Sequence, residues 1–397
     1  MSNNNDKKIL NVPALRFPEF SGEWEKHSLG EIGETIIGLT YKPSDVVENK
    51  GTIVFRSSNI QNGAIDYSDL VRVNKTIKTR MITKVNDILV CARNGSQRLI
   101  GKNAIIKQGD TNNTFGAFMM VYRSEDNQFI FPLLSTKRYI SQVGENLGAR
   151  INQITTSDFN GFEFYFPTNH KERTKISELF RLLDERIAAQ NKIIEKLESL
   201  IRGIRNSLLY SDNDTPIRIG DILKERVEKT TVNNQHEILS STVKGIFSQR
   251  EYFSKDIASE NNAGYKVIRL HDVVLSPQNL WMGNINYNDH FEVGIVSPSY
   301  KIFTIAEKYD KTFIASMLKT QRSLYNYMLV SEQGASIVRR NLNMEAFEQL
   351  VFKIPPYEKQ CEIGRTMSTL RTRLAIANAT RIAYGQQKQW LLRQMFI

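Results

Sequence analysis

Polar and basic loops, rather than a catalytic constellation, are what this chain offers to a partner. The run Arg93-Asn94-Gly95-Ser96-Gln97-Arg98, with Lys102 close behind, holds residue types that read base edges and phosphates. Arg forks onto guanine, Asn and Gln pair with adenine, and Gly admits close backbone approach. A second such stretch is Arg150-Ile151-Asn152-Gln153. Farther along, Gln278, Asn279 and Trp281 share one loop, while Ser336, Arg339, Arg340 and Asn341 share another. Singly, each is an ordinary solvated side chain. Their weight as candidate nucleic-acid contacts comes from recurring at equivalent places in two halves of the chain.

Other chemistry is missing. Ile354-Pro355-Pro356-Tyr357 has the outline of a loop that presents an exocyclic amine for methyl transfer, but such a loop needs an acceptor first and Ile354 is none. No Gly-rich strand-turn-helix for S-adenosylmethionine precedes it. Asp45 with Glu48-Asn49-Lys50 has nuclease-like residues, crowded as in a polar loop. His27, His170, His236, His271 and His290 lack metal-ligand spacing, and there is no Walker phosphate loop. No metal site and no catalytic residue is expected.

Composition narrows the partner. The excess of 53 Lys and Arg over 42 Asp and Glu, a net charge of +11, favours a polyanion. An apolar fraction of 41% without any long apolar run is that of a soluble protein without membrane spans. The polar opening lacks the apolar stretch of a secretory signal, and two cysteines far apart, Cys91 and Cys361, suit a reducing cytoplasm, the expected location.

The elements that must position the loops come in duplicate. Leu29-Gly30-Glu31-Ile32 is echoed by Ile219-Gly220-Asp221-Ile222, and Asn86-Asp87-Ile88-Leu89-Val90 by His271-Asp272-Val273-Val274-Leu275. Phe129-Ile130 is echoed by Phe313-Ile314, and Gly148-Ala149 by Gly334-Ala335. Order and offset are kept, which marks a tandem repeat. Strands are expected over 85–91, 162–166, 267–275 and 350–354, and helices over 130–143 and 311–328.

Each half ends in a heptad seam. Steps of four and three give Ile176, Phe180, Leu183, Ile187, Gln190, Ile194, Leu197, Ile201, Ile204 and Leu208, then Ile363, Met367, Leu370, Leu374, Ala377, Arg381, Tyr384, Lys388, Leu391 and Met395. Apolar side chains fill most of these positions, and Gln190 is the kind of lone polar residue that sets register. Roughly forty residues make a rod about 60 Å long, which needs a partner, and each rod finds it in the other. The expected fold is α+β: a lead-in (1–22), a mixed α/β unit (23–168), a long helix (169–210), a polar hinge (211–214), a second unit (215–356) and a second long helix (357–397), the helices forming an antiparallel intramolecular coiled coil.

Pro13-Ala14-Leu15-Arg16-Phe17-Pro18-Glu19-Phe20, then Trp24 and Leu29-Gly30-Glu31-Ile32, resembles the opening of the specificity subunit of type I restriction-modification systems. The resemblance extends through the repeated order of domain and helix. It implies two target recognition domains on double-stranded DNA, no catalysis and no cofactor in this chain, and docking of two modification subunits that methylate adenine. Restriction (translocase) subunits would join them. S-adenosylmethionine, ATP and Mg would belong to those partners. Arg381 and Lys388 depart from an ideal seam. The rod would set the unread gap of a bipartite, asymmetric target. The rival readings are a stand-alone DNA methyltransferase or nuclease, and a coiled-coil scaffold that never touches DNA.

Overall fold

The chain folds as two units, one of residues 1–189 with 380–397 and one of residues 190–379. The computed structural model describes residues 10–149, 152–207, 214–252, 261–333 and 340–397. The first unit contains β1 (Glu25–Ser28), β2 (Glu34–Ile37), β3 (Ile88–Cys91), β4 (Asn103–Ile105), β5 (Met119–Arg123), α1 (Asn127–Leu133), α2 (Lys137–Ala149) and β6 (Glu163–Phe166). It takes in the start of α3 (His170–Ser207). Strands β2-β5-β3-β4 make one antiparallel sheet, and β1 pairs with β6 from Glu25 opposite Phe166 to Ser28 opposite Glu163.

The second unit repeats the plan with β7 (Thr215–Arg218), β8 (Leu223–Glu225), β9 (Val273–Leu275), β10 (Ile285–Tyr287), β11 (Lys301–Ile305), α4 (Lys311–Met317), α5 (Gln321–Leu329), β12 (Val351–Ile354) and α6 (Tyr357–Met395). The sheet order β8-β11-β9-β10 and the β7–β12 pair match the first unit strand for strand. Outside this shared frame the units differ. The first adds a sheet of Thr114–Phe115, Thr52–Phe55, Val71–Val73 and Val46–Val47; the second adds pairs of Leu239–Thr242 with Gly245–Ser248 and Lys266–Arg269 with Val293–Val296.

Burial on both faces explains the central strands. Ile88 and Val90 of β3 enter the core shared with α3, while Leu89 and Cys91 enter a second core beneath the added sheet. In β9, Val273 and Leu275 face one core and Val274 the other. A strand so placed has no polar face, hence its unbroken apolar run.

Four expected elements differ in their bounds, three of them through a turn or cap. Asn86 has φ of 67° and His271 of 75°, and the left-handed backbone starts β3 late and splits 267–275 into Lys266–Arg269 and β9. The Asp that follows is buried in both units. Asp87 receives the Arg123 fork at 2.8 and 2.7 Å, and Asp272 bonds Arg226. The expected helix 311–328 is two helices because Thr320 Oγ1 accepts from Ser323 N–H (3.0 Å) and caps α5. The expected helix 130–143 likewise breaks between α1 and α2.

The long helices pair antiparallel within each unit. In the first, Lys388 Nζ donates to Asp184 Oδ1 (2.5 Å), the Arg186 guanidinium lies 6.0 Å from the Tyr384 ring centre, and Phe180 packs on Phe396. In the second, Gln190 Nε2 donates to the Ala377 carbonyl (3.1 Å), and Leu197 and Ile201 join Leu370 and Leu374 in the core. Ascending α3 thus means descending α6. Ile176, Leu183, Ile363, Met367, Leu391 and Met395 are buried, Ile187, Ile194 and Ile204 are half-buried, and Arg381 is exposed, so the seam gives way there. Leu208 and residues 211–213 lie outside the described residues; Asp214 is buried. The lead-in is tied to α3 by Arg16, whose guanidinium holds both oxygens of buried Glu172 at 2.7 Å.

Candidate nucleic-acid interface

Each unit closes the same loop junction beside its central strand. In the first, the segment after β3 meets the segment before β6: Arg93 pairs with Gln153 as an isolated antiparallel bridge, and Asn94 N–H donates to the Asn152 carbonyl (3.4 Å). In the second, Arg340 N–H donates to the Gln278 carbonyl (3.2 Å), joining the segment after β9 to the strand Arg340–Leu342. Loops 60 or so residues apart in sequence therefore converge in both units, as the repeat requires.

Both junctions also set a guanidinium on an aromatic ring. Arg93 Cζ lies 5.2 Å from the centre of the Phe118 ring, and Arg340 Cζ 4.7 Å from that of Trp281. Stacking restrains the guanidinium plane and, at exposed Arg93, leaves the edge N–H groups available, the geometry that suits bidentate recognition of guanine; Arg340 is half-buried, with its Nε closed off from solvent. Phe118 is 60% exposed, an aromatic ring held out to solvent by the Ala92 and Arg93 N–H groups, both donating to its carbonyl at 3.0 Å. Nothing in the sequence singles out Phe118, because its neighbours Met119 to Tyr122 are core and its own place lies just before that strand.

The individual candidates divide by what their side chains already do. Asn94 Nδ2 donates to Ser57 Oγ (3.0 Å) and its Oδ1 accepts from Ser96 N–H (2.9 Å), so its amide builds the loop. Asn152, at φ of 54°, donates from Nδ2 to the Gly95 carbonyl (3.2 Å) and clasps the two segments. Gln97 and Arg98 sit exposed on a short 3-10 turn, and Gln153 is half-buried beside Arg93. Lys102 is half-buried where the chain turns back, its carbonyl accepting from Cys91 N–H (2.9 Å). In the second unit Gln278 is exposed, Asn279 flanks the turn Leu280–Met282, and Asn341 is exposed opposite Glu332. Arg150, Ser336 and Arg339 lie outside the described residues.

Among the described residues no group of His, Cys, Asp and Glu is arranged to hold a metal, and no helix is long and apolar enough to cross a membrane. Residues 21–199 match the family described as "Type I restriction modification DNA specificity domain". The chain is 25% identical over 196 residues to the StySPI specificity subunit of Salmonella potsdam and 25% over 194 residues to the EcoKI specificity subunit of Escherichia coli K12. Each match covers 47% of this chain, and it covers 42% and 41% of the relative, so the chain matches less than half the length of these relatives. The crystal structure of the M. genitalium type I S subunit superposes with a TM-score of 0.62 at 15% identity, covering 97% of this chain and 99% of that one. Residues 21–199 therefore carry the match to the type I restriction modification DNA specificity domain, and the whole chain shares the fold of the M. genitalium S subunit.

Proposed function

We propose that this chain is the DNA-recognition subunit of a type I restriction-modification complex, non-catalytic in itself, each unit reading one half of a bipartite and asymmetric target. The observation that carries this reading is the repeated junction: two loops joined beside the central strand, with Arg93 on Phe118 in one unit and Arg340 on Trp281 in the other. A common frame bearing different side chains is what reading two different half-sites demands. Arg93, Gln97, Arg98 and Gln153 are the base and phosphate contacts of the first unit, and Gln278, Trp281, Arg340 and Asn341 those of the second. Asn94 and Asn152 hold the first loop in shape.

The paired helices set the unread gap and dock two modification subunits, through which restriction subunits join. Support for docking comes from large apolar side chains left exposed on the helices, Leu182, Ile193 and Leu200 on α3 and Ile376, Ile382 and Trp390 on α6, since exposed apolar stripes mark interfaces. The test is to map methylated adenines in a host carrying this gene with its modification partner. A single two-part motif with a fixed gap is expected. Methyl transfer by the purified chain alone would overturn the non-catalytic assignment, and loss of salt-dependent duplex binding with and without the partner would overturn the DNA reading.

A further inference from the structure

The second unit gathers three cations that no ion pair neutralises among the described residues. Arg205, near the end of α3, donates from Nη1 to the Lys319 carbonyl (3.1 Å). Arg371 of α6 donates from Nη2 to Ser316 Oγ (3.1 Å) in the last turn of α4. Lys319 donates from Nζ to the Val243 carbonyl (3.2 Å) and Asn286 Oδ1 (2.5 Å). The two guanidinium groups thus meet the C-terminal end of α4, and the Lys319 ammonium, which springs from that end, lies close enough to feel the charge of both. The carboxylate that acts on them is Asp289, which favours charge on Arg371 but is itself bonded to His290 (2.7 Å). Arg205 Nε is buried with no acceptor.

Burial is the first weight on their charge, and repulsion adds to it at Lys319 and Arg205. Lys319 is pushed down to about 8 by burial and then by Arg205 and Arg371; burial lowers both arginines as well, and Arg371 lowers Arg205 further. Among the described residues of the first unit, the equivalent positions hold no such cluster. Counted from the helix starts, the counterpart of Arg371 is Asp184, bonded to Lys388, and that of Arg205 is Leu392; counted from the caps of α2 and α5, the counterpart of Lys319 is Ser135. The frame itself therefore does not need these charges.

Carbonyl and hydroxyl acceptors absorb one donor from each arginine, whereas a guanidinium has five. Unspent donors and unneutralised charge at one place suit a tetrahedral oxyanion, which takes guanidinium groups in paired bonds. We propose that Arg205, Lys319 and Arg371 form a binding site for one phosphoryl group. Its source is a backbone phosphate of DNA, which rests on the reading above, or a free phosphate, which does not.

The test begins with thermal unfolding of the purified full-length chain in inorganic phosphate against chloride at matched ionic strength. Phosphate is expected to raise Tm saturably. Arg371→Gln and Arg205→Gln should each lose most of that rise, while Arg202→Gln, at an exposed position on α3, keeps it. No rise in the unaltered chain, or the same rise in all four proteins, overturns the site. The second measurement is the salt dependence of duplex binding. A slope lowered by about one in the two variants assigns the site to a DNA phosphate; an unchanged slope with the phosphate response intact assigns it to a free phosphate. If the unaltered chain binds no DNA at all, the recognition reading falls and the phosphate titration alone decides the site.

Discussion

Arg93 owes its usefulness to what surrounds it: its backbone is fixed by the Phe118 carbonyl and by Gln153, and its guanidinium rests on the Phe118 ring. Arg93→Ala removes the head group and keeps the loop. It is expected to weaken binding of the cognate site by about 1–3 kcal/mol and to relax preference at one position of one half-site only. Competition binding against duplexes varied one base pair at a time would show this; an equal loss on all sequences would make Arg93 a phosphate contact. Lys319 supplies a prediction of another kind. Its folded pKa, about 8, lies below its ordinary 10.5, so between those values the unfolded chain holds the proton that the folded chain has released. Stability contributed through this group therefore rises with pH across that window. Buried Tyr122 and Tyr139 are shifted upward and work in the opposite sense at higher pH. The comparison belongs at roughly pH 8 to 9.5, below the ordinary tyrosine range. Tm of the unaltered chain should climb relative to Lys319→Met over that interval, and parallel curves would refute the coupling.

At the level of elements, α6 lies close to α4 because Gly364 leaves room for the cap. Asp310 Oδ1 accepts from Phe313 N–H (2.7 Å) to start α4, and a Cβ on Gly364 would come within 2.2 Å of that oxygen. Gly364→Ala should gain helix propensity yet lose about 1–3 kcal/mol overall by forcing the cap aside; chemical denaturation measures it, and a stabilised variant would mean the cap moves freely. The same packing explains what was legible beforehand. The seams were, because a period of seven survives any detail of the loops, and so was the repeat, whose echo at Asn86-Asp87 and His271-Asp272 marks a left-handed turn before a buried, Arg-bonded carboxylate. The splitting of 267–275 and 311–328 was not. Positive φ at a His and a Thr acting as a cap inside an apolar run leave the hydrophobic period almost unchanged. Nor could spacing reveal that the Asn94 and Asn152 amides are occupied within the loop, since an Asn that builds a turn and one that reads adenine look alike in sequence.

For the molecule as a whole, the proposed reading makes the residue count of the continuous helices the measure of the unread gap. Helix α3 runs unbroken from His170 to Ser207 and α6 from Tyr357 to Met395, and each contributes one end to each unit. A matched insertion of one heptad into both, at the stretch between Gln190 and the Ala377 carbonyl it bonds, keeps every seam position in phase. It lengthens the pair by about 10 Å. At roughly 3.4 Å per base pair, the unread gap of the target should grow by about three base pairs while both half-sites stay the same. Inserting three or four residues instead breaks the phase of seven and should unfold the pair before any new gap is read. Mapping methylated adenines for the original and lengthened chains distinguishes the cases. An unchanged gap with the heptad in place would mean that spacing is fixed by the partner subunits, and the helices would then serve only to dock them.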